Sequence, residues 1–223
     1  MKSFWIKSVA IIAVLLGTTA CSVGGGEARA PRQLDLGAAL VTPAGALPVH
    51  RPLLIAPVTA SALLNDTTVI WRVGDAGQPQ GFTTYRWVAP PAQLVTQRLM
   101  GRLALQGAVL EQGIAGDVPQ LRLNLQSFEQ LFTLDGKSSQ GVLTMQAVLL
   151  RANRVVAQKL IDIKVPTVSQ DASGGAQALR VATDQAAEQV AQWLTPFLKL
   201  NAMSSMLLYT TIFYSFIRTI FRF

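Results

Sequence analysis

Among 223 residues the chain carries one cysteine and one histidine. A lone cysteine has no partner for an internal disulfide, one imidazole and one thiol cannot fill a zinc site of several His or Cys ligands, and the one histidine that a triad could use as base falls in the Pro-rich tether. His50 itself lies in a Pro-containing stretch ahead of the first expected strand and reads as an ordinary surface residue. The twelve acidic residues are scattered: Asp117, Glu129, Asp135, Asp162 and Asp171 fall at turns or polar strand positions, so no carboxylate pair stands out for acid and base work. Gly174-Gly175 lacks the flanking glycine and lysine of a phosphate-cradling loop, and reads as a turn. These gaps give the expectation of a non-catalytic protein with no cofactor and no metal.

Charge is equally uninformative once it is divided by region. The total is +7, but Lys2, Lys7, Lys199, Arg218 and Arg222 lie at the ends, while every acidic residue falls between 22 and 198. That middle carries 14 minus 12, or about +2, with no basic cluster, so nucleic acid is not an expected partner.

What is present begins at the N-terminus. Lys2 and Lys7 precede an apolar run, Ser8 to Leu16, that is too short to span a bilayer and has the form of an export signal. Small residues Gly17, Thr18, Thr19 and Ala20 then lead to Cys21. The stretch LLGTTAC resembles the lipobox of bacterial lipoproteins, with Thr18 where that motif usually has Leu. The resemblance implies cleavage before Cys21 and lipid on its thiol. Ser22 in the next position implies sorting to the outer membrane rather than retention at the inner one, and Gly24, Gly25 and Gly26 supply flexible chain. At the other end, Met203 to Ile217 carries no charge, yet a helix of that length covers only roughly 22 Å, short of a hydrocarbon core of about 30 Å. It reads as an apolar extension, with membrane or partner association left open.

The divisions are therefore a signal peptide over 1–20, a lipidated cysteine and tether over 21–50, one domain over 51–198 and a C-terminal extension over 199–223. Within the domain, Leu53 to Ala56 and Thr67 to Trp71 read as two strands, and GDAGQPQG, between Val73 and Gly81, reads as the loop that follows them. Pro90-Pro91 opens a helix whose Val95, Leu99 and Leu103 share a face, with Gly107 as its stop. Leu121, Leu123 and Leu125 alternate with polar residues, and Phe128 falls out of phase, which predicts a bulge. Asp135-Gly136 and Ala152-Asn153 mark turns before Leu143 to Leu149 and Val155 to Val165, making a three-stranded antiparallel meander. A last helix follows DASGG, with Leu179, Thr183, Ala186, Val190 and Trp193 on one stripe and Pro196 as its limit. The expected class is α+β, a mostly antiparallel sheet with two amphipathic helices packed on one face.

The segment Tyr85-Arg86-Trp87-Val88-Ala89-Pro90-Pro91-Ala92 resembles the RW-x-x-PPA segment of the ABC-type transport auxiliary lipoproteins, the family of paraquat-inducible protein C. VIWR at 69–72, LRLNLQSFEQ at 121–130 and the Ala-rich closing helix with Trp193 extend the likeness over roughly 50–195. The resemblance implies a periplasm-facing, outer-membrane lipoprotein working beside an ATPase, a permease and a mammalian-cell-entry-type protein that moves lipids or other apolar molecules. Membrane contact would come through the lipid anchor, and self-association into a homo-oligomer is left open. A structural lipoprotein that scaffolds an outer-membrane or cell-wall assembly is the alternative. Tyr85, Arg86 and Trp87 are the candidate partner-binding residues, with Trp87 readable either as an interface anchor or as a core aromatic packing the start of the first helix.

Overall fold

In the computed structural model, which describes residues 30–38, 50–110 and 118–199, the fold is organised by one long strand. This strand, β7 (Gln120–Phe132), buries Leu121, Leu123 and Leu125 on one face and turns Arg122, Asn124 and Gln126 to solvent. Along one edge it pairs antiparallel with β8 (Ser139–Arg151), which pairs antiparallel with β9 (Arg154–Pro166). Along its other edge it takes three shorter strands in succession. These are β2 (Leu53–Ile55), β3 (Thr59–Ala60) and β4 (Thr68–Val73), all parallel to it. β5 (Gln80–Trp87) pairs antiparallel with β4, β1 (Arg32–Leu34) lies parallel to β5, and β6 (Val109–Leu110) lies parallel to β2.

The α+β class stands, but the sheet is mixed and not mostly antiparallel. Five of the eight strand pairings among the described residues are parallel and three antiparallel. The reason is physical: a hairpin leaves a turn in the sequence, as at Ala152 and Asn153, whose φ values of 47° and 59° make the tight reversal between β8 and β9. Parallel pairs join segments distant in sequence and leave no such local mark. The bulge predicted at Phe128 is present as a register shift between Leu125 and Ser127. It lets Phe128 return to the buried face.

Helix α1 (Pro91–Ala104) starts with Pro at its first position, where a missing N–H costs no hydrogen bond. Helix α2 (Ala172–Leu198) is capped by Asp171, whose carboxylate accepts from the Gly174 amide at 2.8 Å and from the Ser169 hydroxyl at 2.9 Å. The Gly174 amide first, then Ser169, hold this carboxyl below its ordinary value. Gly174-Gly175 is thus the first turn of a helix and not a turn before one. Pro196 does not end it either, since Leu198 is its last residue. Both helices contribute to one core with the buried face of β7, β8 and β9.

α2 approaches the sheet closely because its inward residues are small, among them Ala178, Ala182 and Ala186. Opposite them sits Gly141, where an added Cβ would lie 2.9 Å from the Ala178 Cβ. Gly141→Val is therefore expected to push helix from sheet and destabilise the domain by about 1–3 kcal/mol, read as a lower thermal midpoint. An unchanged midpoint would mean that this contact is not close-packed.

The stretch read as a tether contributes more than loose chain. β1 joins the sheet edge, and Leu36 is buried. Cys21 and residues 200–223 lie outside the described residues.

Candidate interaction surface

The YRW segment forms the end of β5, and its three side chains are placed in different environments. Trp87 is 1% exposed and stacks at a tilt on Phe128, ring centroids 5.5 Å apart. Of the two readings of Trp87, the structure takes the buried one: it presents no surface to a partner. Its indole N–H has no acceptor among the described residues.

Arg86 also works inward. Between the Thr68↔Arg86 and Ile70↔Gly81 pairings β5 gains three residues on β4, and the surplus backbone has to be tied down. The Arg86 guanidinium does this through one nitrogen, Nη1, which donates to the carbonyls of Phe82 at 2.7 Å and Tyr85 at 2.8 Å. Asp66 closes the start of β4 by accepting from the Thr68 amide at 2.7 Å and from its hydroxyl. Those bonds hold the exposed Asp66 carboxyl below its ordinary value, the Thr68 hydroxyl first.

The bulged strand also carries aromatic rings, of which Phe82 and Tyr85 lie partly buried at the margin of the core. The half-buried rings of Tyr85, Phe82, Trp71 and Phe132 follow one another with centroid separations of 6.3, 6.0 and 5.9 Å, mostly edge to face. The row runs across β5 and β4 to the end of β7. There it meets an open hollow of about 940 Å³ between the β4–β5 turn and the β7–β8 hairpin, floored by Leu131 and Phe132 and edged by Asp75 and Lys164. Arg72 fixes one wall, pairing with Glu129 at 3.1 Å and donating to the Gly77 carbonyl at 2.7 Å. Of the three residues singled out in the sequence, only Tyr85 has its ring in this row, while Arg86 ties the backbone of Phe82 and Tyr85 and Trp87 is buried against Phe128.

A second arrangement escaped the sequence reading. Arg98 and Arg102, four apart on α1, face Asp184 and Glu188, four apart on α2. Arg98, 5% exposed, pairs with Asp184 through Nη2 at 2.9 Å and gives Nη1 to the carbonyls of Leu36 at 2.7 Å and Ala38 at 3.1 Å. Arg102 meets Glu188 at 2.7 Å. That bond, followed by one from Gln192, lowers the Glu188 carboxyl. The matched four-residue spacing on two helices was the available signal. Arg98 thereby clamps the chain that follows β1 onto the helix pair.

His50 is 7% exposed and not the surface residue expected. It bridges to Lys199 and donates its amide to the Gln106 carbonyl at 2.9 Å, tying the start of the domain to the end of α2. Burial first, then the charges of Lys199 and Arg102, hold its imidazole below the ordinary 6.5. Below that value the unfolded chain takes up a proton that the folded protein resists, so this contribution to stability is complete above about pH 6.5 and shrinks as pH falls toward the lowered folded value. The thermal midpoint should drop on acidification from neutral pH into that window, and His50→Gln should flatten the drop. An equally steep drop in the variant would remove His50 as its cause.

The family model for "ABC-type transport auxiliary lipoprotein component" matches residues 33–191. The chain belongs to this family. Among solved structures, a Xanthomonas campestris protein of the DUF330 designation superposes with a TM-score of 0.64 at 22% identity, covering 74% of this chain and 94% of its own. An uncharacterized protein superposes at 0.60 with 15% identity, covering 74% of this chain and 99% of its own. At these identities the likeness is one of fold. No curated protein matches the chain. The family description makes this protein a lipoprotein and an auxiliary component of a transport system, hence associated with a membrane and with transporter subunits. Among the described residues, no helix is long and apolar enough to cross a membrane.

Proposed function

We propose that the chain is a non-catalytic, periplasm-facing subunit of an ABC-type envelope transport system linked to a mammalian-cell-entry-type protein and moving lipids or other apolar molecules. Cys21 carries its lipid, and the outer membrane holds it. The observation that carries the reading is the extent of the family match, from β1 through most of α2, which takes in nearly all of the helix–sheet unit. Energy for transport comes from another subunit, and this one supplies a docking surface.

The aromatic row is the part of the fold best suited to that docking. Half-buried aromatic rings combine a large apolar area with little side-chain entropy to lose, which is the composition of interface hot spots. Tyr85, Phe82 and Trp71 form the contact, with Arg86 and Trp87 setting their positions. A photo-crosslinking residue placed at Phe82 in cells is expected to capture a transporter subunit, whereas one at the solvent-facing Gln126 of β7 is not. Capture of a barrel or cell-wall protein at Phe82 instead would favour the scaffold alternative. Equal capture of transporter subunits from both positions would remove the aromatic row as the docking site.

A further inference from the structure

The end of the sheet that carries the β4–β5 turn, the β7–β8 hairpin and the start of α2 displays apolar side chains that the core does not use. Leu134 is 86% exposed, Val168 76% and Val73 38%. Leu134 stands at the tip of the hairpin and leans over Gly74, where an added Cβ would lie 2.8 Å from its Cδ2. Phe132 lines the same hollow as Val73 and Leu134, and Trp71 packs edge-on with it. Exposed apolar loop tips backed by aromatic rings are a composition that settles at a membrane interface.

The direction of β1 says which surface this end meets. β1 is parallel to β5, and β5 begins at that same end, so the chain enters the fold from the side of the exposed tips. The entry point is fixed, because β1 is hydrogen-bonded to β5 and Arg98 holds the Leu36 and Ala38 carbonyls that follow it. Eleven residue steps separate Cys21 from Arg32, a reach of at most about 40 Å. Through the pairings Arg32↔Tyr85 and Thr68↔Arg86, Arg32 lies about one residue from the level of Thr68. From Thr68 to Val73 at the tip is five residues of strand, or roughly 17 Å.

We propose that this pole, with Leu134, Val168 and Val73 at its surface, rests on the lipid surface that holds the acylated Cys21. The inference depends on the lipoprotein reading and adds an orientation to it. The hollow and the aromatic row then lie next to the bilayer, and the Ala152-Asn153 turn points away from it. Charges at the pole are mixed, with Asp75 and Asp135 against Lys137 and Lys164, so the contact is apolar and does not depend on anionic headgroups.

The test uses the processed lipoprotein, whose one cysteine is acylated, so that an introduced thiol is unique. It is reconstituted into vesicles of phosphatidylethanolamine and phosphatidylglycerol with brominated acyl chains. An environment-sensitive fluorophore on Leu134→Cys is expected to shift to the blue and be quenched several-fold more than one on Arg154→Cys, unchanged at high salt. The Arg154 position is a demanding control, because Val155 and Val156 beside it are also exposed. Equal quenching at both sites, or stronger quenching at 154, overturns the proposal. So does a signal at 134 that appears only when transporter subunits are added, since the pole would then dock a protein. The mass of the N-terminal peptide separates these results from failure of acylation, and subunit capture separates them from failure of the transport reading.

Discussion

Trp87→Ala is expected to unfold the domain or leave it barely folded. Removing a fully buried aromatic side chain costs about 3–5 kcal/mol through lost burial and the cavity left behind. A domain of this size has only about 5–15 kcal/mol in all. The cavity would open against Phe128 and beneath the start of α1, where Ala92, Leu94 and Val95 are also buried, so there is little freedom to collapse. Trp87→Phe separates burial from hydrogen bonding. The indole N–H has no acceptor to lose, and phenylalanine keeps the ring against Phe128, so this variant should remain folded with a modestly lower midpoint. Thermal unfolding of the two variants decides the matter. A folded Trp87→Ala protein that had lost only partner binding would return Trp87 to the interface.

Arg98→Ala is the second large effect. The Arg98 side chain is 4% exposed and that of its Asp184 partner 37%, so removing the arginine leaves a partly exposed carboxylate without its cation and the Leu36 and Ala38 carbonyls without that donor. Breaking a buried pair from one side costs about 3–5 kcal/mol, and water at Asp184 brings the expectation toward the lower figure. Arg102→Ala should cost less, because Glu188 is 44% exposed and such pairs contribute about 0–1 kcal/mol. The discriminating readout is hydrogen exchange. In Arg98→Ala the amides of Leu34 to Ala38 should exchange faster while those of β8 and β9 stay protected. Uniform acceleration across the domain would indicate general destabilisation and no clamp.

These two residues also mark what could be read from the sequence. The meander of β7, β8 and β9 was legible because alternation and two tight turns are local signals, and both helices were legible from their apolar stripes. β5 was not: its slip of three residues against β4 scrambles any period in QGFTTYRW. β1, β3 and β6 have only two or three residues each and pair in parallel with distant segments, so no local pattern announces them. The start of α2 was hidden by Gly174-Gly175, glycines required there by close approach and not by a turn. An added Cβ at Gly174 would fall 2.3 Å from the Ser169 backbone carbonyl oxygen, and one at Gly175 the same distance from the side-chain oxygen of the buried Gln130.

The candidate site was legible in composition but not in orientation. YRW stands out in the sequence, yet the environment of each of its three side chains depends on the bulge. Arg86 looks like a surface charge until its two carbonyl partners are seen. Arg98 and Asp184 are 86 residues apart. Only the packing of α1 on α2 turns two ordinary charged residues into the clamp that fixes where the anchored segment joins the fold.

The central claim is that this lipoprotein serves a transporter. Its most direct test is mild detergent extraction of native membranes, affinity capture of the protein, and mass spectrometry of both its N-terminal peptide and the chains that accompany it. The account predicts an acylated Cys21 as the first residue together with an ATPase, a permease or a mammalian-cell-entry-type protein. An acylated Cys21 accompanied only by barrel or cell-wall proteins would contradict the transport role, and an unmodified Cys21 within an uncleaved chain would contradict the anchor.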